Sequence, residues 1–199
     1  MPDNFDGPPK PIQQKRFVTP EESMLLGFLE LETKKNEILS QKKDVDELSG
    51  LLNKEALQAK IAELKHDKRS TAVQEVTFAY LDLDKLKTIN DALGHKEGDK
   101  HIKDFASLFR TFFREHDYIY RINGSTGDEF GVLIESNQVE LILEKLQEFS
   151  EKYPDYPFSF GIKCGARDQD GNLDLEEIIH QADLQMIEQK NVKKLNGVK

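Results

Sequence analysis

The sequence predicts an α+β fold in which helices cover the faces of a central sheet. Short apolar runs typical of strands alternate with longer segments whose apolar residues recur at helical spacing. The chain has 199 residues, a length that suits one domain with an extension. Its hydrophobic fraction of 37% and charged fraction of 33% indicate a soluble globular protein with well-solvated helices.

The first 45 residues divide into two segments of different character. Residues 1–18 are rich in proline and poor in apolar side chains, so we expect a disordered tail, with a docking peptide for another protein as the alternative. Thr19 and Pro20, followed by Glu22, form a helix start with a capping box, which predicts a helix to about Val45. Apolar residues recur along it every seven positions, giving half of a heptad seam that fits either weak pairing with a second helix or packing on the chain's own domain.

The rest of the chain predicts the elements of the domain in order. Helices are predicted at 51–64, 99–114, 138–153 and 175–194, and strands at 76–83, 117–122, 130–135 and 158–166. Residues 65–74 and 90–99 are polar and predict loops. The predicted organisation is therefore a tail at 1–18, a helix at 19–45 and a globular domain at 46–199.

Charge and cysteine content exclude several classes of protein. The net charge of −9 argues against non-specific nucleic-acid binding through a general basic field. The single cysteine, Cys164, excludes an internal disulfide and predicts a small core residue in a reducing compartment. No apolar run approaches the ~20 residues of a membrane span, and the N-terminus lacks a signal-peptide pattern, so we expect a cytoplasmic protein with no membrane insertion.

Two pairs of carboxylates mark the ends of predicted strands. Asp82 and Asp84 close an apolar strand, whereas Asp128 and Glu129 follow a glycine at the start of another. Burying isolated charge is costly, and carboxylate oxygens suit Mg²⁺, which is bound by one or two carboxylates together with substrate phosphates. If the two strands are neighbours, the pairs converge; solvated strand-end carboxylates are the alternative.

An EF-hand calcium loop is rejected as the origin of these acidic spacings. The stretch around Asp82 lacks both the fifth-position oxygen ligand and the sixth-position glycine. The stretch from Asp168 to Asp174 has Leu173 at the glycine position and Ile179 in place of the closing glutamate. That stretch predicts a turn followed by a helix start.

Two further clusters have side chains suited to a guanine nucleotide. Asn90 and Asp99 lie in a polar segment and can read the edge of guanine, although turn formation and a helix N-cap at Asp99 are the alternative. Arg114 and Asp117 stand three residues apart at a helix-to-strand junction. An arginine can grip phosphate and an aspartate can accept hydrogen bonds from guanine, with a surface ion pair as the alternative.

Together these motifs resemble the GGDEF domain family of diguanylate cyclases. The resemblance extends over about residues 46–195 and comprises the opening segment 46–54, the block 81–99, the signature Thr126-Gly127-Asp128-Glu129-Phe130 and the closing segment 182–190. It implies a nucleotide-cyclase palm-like sheet flanked by helices and a homodimer that condenses two GTP into cyclic di-GMP. By position the resemblance implies metal binding by Asp82, Asp128 and the carbonyl of Leu83, with Glu129 completing the acidic signature. It implies guanine recognition by Asn90 and Asp99 and phosphate contacts from Lys87 and Lys190. It also implies a cyclic di-GMP site at Arg114 and Asp117.

The signature departs from the family pattern R-x-G-G-D-E-F. The run from Arg121 to Phe130 is three residues longer, and the first glycine is replaced by Thr126, a β-branched residue that disfavours positive φ. We therefore predict a degenerate, catalytically inactive domain that binds cyclic di-GMP at Arg114 and Asp117 and relays this state to a protein partner through the N-terminal tail and helix. The alternatives are an active, product-inhibited cyclase that uses Mg²⁺ and GTP, and a scaffold that binds no nucleotide.

Overall fold

The computed structural model describes residues 24, 26–27, 31–32, 43–66, 73–122 and 127–195. The chain divides into two units, residues 1–42 and residues 43–199. In the first unit the described residues are helical. The predicted tail at 1–18 and most of the predicted helix at 19–45 lie outside the described residues and stay predictions.

The described part of the second unit contains five helices and four strands. The helices are α1 (Lys54–His66), α2 (Leu86–Leu93), α3 (His95–Arg110), α4 (Val139–Lys152) and α5 (Leu175–Leu195). The strands are β1 (Glu75–Leu83), β2 (Tyr118–Arg121), β3 (Glu129–Ile134) and β4 (Phe158–Ala166). Within the described residues, no helix combines the length and the apolar character needed to cross a bilayer.

The four strands form one antiparallel sheet in the order β2-β3-β1-β4. The central strand β1 pairs with β3 on one side and with β4 on the other, and β2 adds to the outer side of β3. Along the chain, α1 precedes β1, α2 and α3 lie between β1 and β2, α4 lies between β3 and β4, and α5 follows β4. The predicted α+β fold, a sheet flanked by helices, is therefore confirmed.

Both faces of the sheet are buried, which explains why β1 reads as a continuous apolar run. Leu81 and Leu83 belong to a core shared with α3 and α4, whereas Phe78 and Tyr80 belong to a core shared with α1 and α5. This alternation follows from the two-residue period of a strand. It also places Asp82, two positions after Tyr80, on the α5 face.

An aromatic cluster fixes the start of β3. The ring of Phe130 lies 4.8 Å from that of Phe105 on α3, and Phe105 lies 5.0 Å from Phe109 and 5.4 Å from Phe149. Phe105, Phe109, Phe130 and Phe149 are fully buried. Because Phe130 directly follows the two acidic residues of the signature, this packing holds the backbone of Glu129 in the sheet.

The prediction of a loop at 90–99 is wrong. Residues 86–93 form α2, in which Leu86 is buried, and α3 begins at His95 rather than at Asp99. The break between the helices is Gly94, whose φ of 85° suits glycine and whose N–H donates to the Asn90 carbonyl. Gly98 lies inside α3, where the side chain of Asn90 packs against it and leaves no room for a Cβ. A packing requirement, not a turn, therefore explains this glycine.

Candidate functional site

The two acidic pairs converge at one end of the central strands. Asp82 and Glu129 are directly opposite each other in the β1–β3 ladder, and the Leu83 N–H donates to the Asp128 carbonyl over 2.9 Å. Directly opposed residues of an antiparallel pair project from the same face of the sheet. The structure thus brings together Asp82, Leu83, Asp128 and Glu129, the residues for which metal-binding and catalytic roles are predicted from the sequence.

Two lysines of α5 are paired with the aspartates that end β1. Lys190 Nζ lies 2.6 Å from Asp82 Oδ1, and Lys193 Nζ lies 2.9 Å from Asp84 Oδ2. Ser159 Oγ donates to Asp84 Oδ1 over 3.0 Å, and Lys193 also donates to the Phe158 carbonyl. Lys190 is the predicted phosphate-contacting residue, whereas sequence reasoning assigned Lys193 no role at the site. In this structure both lysines neutralise carboxylates.

Burial and neighbouring charge alter the acidity of this group. Burial raises the pKa of the Asp82 carboxyl, the Lys190 ammonium opposes that rise, and the nearby Asp128 adds to it. Tyr80 donates from its hydroxyl to Glu129 Oε2 over 2.8 Å. Burial, followed by this contact with Glu129, raises the pKa of the Tyr80 phenol. Tyr80 therefore remains a hydrogen-bond donor that orients the Glu129 carboxylate.

The carboxylate donors are of the type that Mg²⁺ prefers, and one or two of them suffice when substrate phosphates complete the coordination. Among the described residues, no group of three or more histidine, cysteine, aspartate or glutamate side chains has a geometry able to hold a metal ion. Asp82 and Asp84 each contact a lysine ammonium instead. A metal at Asp82 would have to displace Lys190.

The predicted guanine-reading residues lie on the α2–α3 hairpin. Asn90 is half-buried against Gly98, and its Oδ1 is buried without a hydrogen-bond partner. A buried acceptor left unpaired costs about 1–3 kcal/mol, which a ligand donor could recover. Asp99 and Lys87 are exposed.

The predicted cyclic di-GMP pair forms a compact turn between α3 and β2. Asp117 Oδ2 accepts a hydrogen bond from the Arg114 backbone N–H over 2.9 Å, and the Asp117 N–H donates to the Arg114 carbonyl. Asp117 is 7% exposed, whereas the Arg114 side chain is exposed. The ion pairs of the described residues do not include one between them, so the surface ion-pair alternative does not describe this turn. Asp117 is a capping group for this turn, and the Arg114 side chain is exposed to solvent.

Cavities lie on both sides of Asp117. The larger, of about 570 Å³, is lined by the 49–52 turn, by α3 and by residues 115–119. The smaller, of about 330 Å³, is bounded by residues 114–118 and by the segment 134–141. Arg110, which sequence reasoning missed, lines the larger cavity. Its guanidinium donates hydrogen bonds to the carbonyls of Asp117 and Glu115 and so stabilises the turn. The sequence placed Arg110 within the helix predicted at 99–114, whereas the structure ends that helix at Arg110.

Arg121 ties the opening motif to the signature. Its Nη1 lies 2.9 Å from Asp46 Oδ1, and its Nε donates to the Gly127 carbonyl over 3.0 Å. Sequence reasoning treated Arg121 only as the first residue of the lengthened signature. Residues 123–126, including Thr126, lie outside the described residues.

A search against protein-family models matches residues 43–196 to the family described as "Diguanylate cyclase, GGDEF domain". Among curated proteins, the chain is 28% identical over 188 residues to the diguanylate cyclase DgcS of Shewanella oneidensis. The aligned region covers 87% of this chain and 60% of that protein. It is 33% identical over 150 residues to the diguanylate cyclase DgcP of Pseudomonas aeruginosa, covering 72% of this chain and 22% of that protein. The chain therefore spans less than two thirds of the length of either relative.

Solved structures share the fold. The coiled coil and GGDEF domain of DgcB from Caulobacter crescentus, in complex with c-di-GMP, superposes with a TM-score of 0.69 at 18% identity, covering 86% of this chain and 94% of that chain. The diguanylate cyclase SiaD of Pseudomonas aeruginosa, in complex with its activator SiaC, gives a TM-score of 0.68 at 20% identity, covering 86% and 68%. At these identities the likeness establishes the fold alone.

Proposed function

The chain belongs to the GGDEF domain family of diguanylate cyclases, and from this premise we propose that it is a cyclic di-GMP-binding signalling effector. Membership supports a role in cyclic di-GMP signalling. In our proposal the ligand binds at Arg114 and Asp117, the domain does not turn over GTP, and the bound state is relayed to a protein partner through the N-terminal tail and helix. The chain acts as a monomer or as a homodimer in this scheme.

The observation that carries the proposal is the geometry of the Arg114–Asp117 turn. Asp117 is held by the Arg114 N–H, and Arg110 holds the carbonyl of the same residue. Arg114, whose side chain is exposed, and Asp117 both line the smaller cavity. A guanidinium matches the phosphates of a cyclic dinucleotide, and a carboxylate matches the donor edge of guanine.

The acidic end of the sheet supports the absence of turnover. Lys190 and Lys193 are paired with Asp82 and Asp84, so a metal at these carboxylates would have to displace a lysine ammonium. Mg²⁺ would bind only together with GTP, held by Asp82, the carbonyl of Leu83 and Asp128. The metal would neutralise charge on the phosphates. The three additional residues in the signature also favour an inactive site, because reacting groups displaced by ~1 Å lose about a hundredfold in rate.

An active diguanylate cyclase is the second candidate, and a specific observation favours it. Asn90 Oδ1 is buried without a partner next to the exposed Asp99, as expected for a residue that accepts a hydrogen bond from guanine. In that case Lys190 would leave Asp82 and contact phosphate, and Lys87 would contact phosphate as well. Glu129 and Asp128 would then be the catalytic residues. Retention of these residues also fits a vestigial GTP site without turnover.

Calorimetry with cyclic di-GMP tests the receptor role. The ligand should bind to the wild-type chain freed of co-purified nucleotide, and Arg114→Ala should weaken binding at least tenfold, since a charge-assisted phosphate contact contributes about 1.5–3 kcal/mol. Lys163→Ala is the matched control, because Lys163 is an exposed cation on β4, at the opposite edge of the sheet from β2. A wild-type chain that binds no cyclic di-GMP would overturn the proposal and leave the scaffold alternative.

A product assay separates the two candidates. We expect no cyclic di-GMP from purified protein incubated with GTP and Mg²⁺ and analysed by chromatography. Turnover that disappears in Asp128→Ala would establish the cyclase instead. Binding without turnover is the result that the effector proposal requires.

A further inference from the structure

Glu135 forms part of the wall of the smaller cavity beside Asp117. It directly follows β3, and the β2–β3 register pairs Tyr118 with Leu133, so the end of β3 lies next to the start of β2. This register brings Glu135 to the cavity that also contains Arg114 and Asp117, although the two segments are far apart in sequence.

The charge of this cavity is unusual for an anion-binding site. Its lining contains two carboxylates, Asp117 and Glu135, beside one arginine, Arg114, and one histidine, His116. A second carboxylate near a phosphate ligand is repulsive unless a cation compensates it or a ligand donor approaches it. Asp117 already caps the turn, whereas the Glu135 carboxylate contacts the ammonium of Lys60.

Lys60 of α1 supplies the compensating cation. Its Nζ lies 2.6 Å from Glu135 Oε1 and 2.9 Å from Glu63 Oε1, with the side chain only 10% exposed, and it sits 4.7 Å above the ring of Tyr118. Burial acts to lower the pKa of Lys60, but Glu135 and Glu63 outweigh it and raise that pKa above its usual value. Lys60 therefore stays charged and fixes the carboxylate that it contacts.

The ion pair leaves part of Glu135 facing the cavity. Glu135 Oε1 is itself buried, yet the side chain as a whole is 30% exposed. The exposed surface therefore belongs to the rest of the side chain, which lines the cavity. Anchoring by Lys60 restricts the rotamers of Glu135, so a ligand contact would cost less conformational entropy than one to a free surface glutamate.

We propose that Glu135 is a purine-selecting residue of this cavity, accepting hydrogen bonds from the donor edge of a guanine base, and that Lys60 is its positioning residue. The inference rests on the proposed function and deepens it. Guanine offers N1–H and an exocyclic amine, hypoxanthine offers N1–H alone, and adenine places an acceptor at N1. A carboxylate only accepts, so it favours guanine and repels adenine. Sites that require a particular donor discriminate strongly against analogues lacking it.

Calorimetric titration of the full chain with cyclic di-GMP, cyclic di-IMP and cyclic di-AMP tests the role. For the wild type we expect at least a tenfold loss of affinity from cyclic di-GMP to cyclic di-IMP, and a larger loss to cyclic di-AMP. In Glu135→Gln, affinity for cyclic di-GMP should fall about tenfold, and the gap to cyclic di-IMP should narrow to about threefold. The selectivity ratio is the decisive readout, because a merely structural change would weaken all three ligands together.

Glu144→Gln, at an exposed position on α4, is the matched control and should retain the wild-type ratio. If Glu135→Gln fails to fold, Lys60→Met combined with Glu135→Met removes both charges at once and should show the same loss of selectivity. Wild-type binding with an unchanged ratio in these variants would overturn the role of Glu135 alone. No cyclic di-GMP binding by the wild type would overturn the proposed function, and this role with it.

Discussion

The ammonium of Lys190 lies 2.6 Å from Asp82 Oδ1, although the two residues are 108 positions apart in the chain. The contact joins the last helix to the end of the central strand. Asp82 is 6% exposed, so its charge is largely removed from water. A buried carboxylate that keeps its charge needs such a partner.

Replacing this lysine should destabilise the domain. We expect Lys190→Met to lower the free energy of unfolding at pH 7 by about 1–3 kcal/mol, because Asp82 would lose a charge-assisted hydrogen bond while remaining buried. The Lys190 side chain is 31% exposed, so solvent screening places the loss below that of a fully buried pair. Urea unfolding measures the change.

Lys194→Met, at an exposed position on the same helix, serves as the control and should change stability by less than about 0.5 kcal/mol. The difference between the two variants should shrink as the pH falls and Asp82 becomes protonated, since burial raises the pKa of that carboxyl. Equal stability of the two variants at pH 7 would show that the Lys190–Asp82 pair contributes nothing.

Local patterns in the sequence were sufficient for the fold class and the family. The apolar run that ends in Asp82 predicted β1, and the motif spacings predicted a family membership that is confirmed. Helix α2 was missed because the polar residues around Asn90 resemble a loop, while Leu86, Ile89 and Leu93 carry its helical spacing.

The contacts of the candidate site could not be read from the sequence, because they depend on how separate elements pack. Sequence reasoning assigned Lys193 no role, yet its ammonium lies 2.9 Å from Asp84 Oδ2. Glu135 gave no signal at all, since its cavity exists only when β2 lies beside β3. Asp168 is the opposite case: its carboxylate accepts from the N–H groups of Asp170 and Asn172, so the predicted turn is confirmed by purely local bonds.

The pH dependence of stability should include a contribution from His101. Its ring stacks on Tyr156 at 4.6 Å between centroids, and its Nε2 is buried without a hydrogen-bond partner. Burial lowers the pKa of His101, with Asp104 and Asp155 opposing that shift. The unfolded chain therefore binds a proton at higher pH than the native state does. The contribution of His101 to the free energy of unfolding is fully present above the ordinary histidine pKa of about 6.5. It is lost as the pH falls from that value through the lower native pKa.

His101→Gln should remove this component. We expect the variant to lose less stability than the wild type between about pH 7 and pH 5, as measured by urea unfolding at intervals of half a pH unit. His95→Gln, at an exposed position on the same helix, should follow the wild-type curve. If the His101→Gln curve runs parallel to the wild-type curve throughout, burial of the ring does not perturb its titration.

The contact between Asp46 and Arg121 should couple the opening motif to the signature. Both side chains are nearly buried, and Arg121 also binds the Gly127 carbonyl. Burial acts to raise the pKa of Asp46, but hydrogen bonds from Ser49 and then Arg121 outweigh it, so the pKa is lowered. Its stabilising contribution is present above the unfolded value of about 3.8 and is lost as the pH falls through the native pKa.

A double-mutant cycle with Asp46→Asn and Arg121→Gln measures this coupling. We expect an interaction energy of about 1–3 kcal/mol at pH 7, because each single change leaves the other group buried without its charged partner. Asp44→Asn, in the same turn region, supplies the control cycle and should give a coupling to Arg121 near zero. An additive result for the Asp46 cycle would mean that the two motifs are stabilised independently.

Gly161 determines how closely α5 approaches the sheet. A Cβ at this position of β4 would collide with the carbonyl oxygen of Ala182 and would lie 2.6 Å from both the Met186 amide nitrogen and the Gln185 Cβ. Two of these obstacles are helix backbone, which cannot move without shifting α5 as a whole. Because α5 also carries Lys190, such a shift would reach the carboxylate end of the sheet.

Gly161→Ala should therefore cost about 1–3 kcal/mol of stability or more, as expected for overpacking against rigid neighbours. Gly165→Ala is the matched control on the same strand, where the added methyl would meet only the side chain of Ile178, which can change rotamer. Thermal and urea unfolding of both variants measure the difference. Gly161→Ala should be the less stable of the two, and the reverse order would mean that α5 packs on β4 with more freedom than this contact implies.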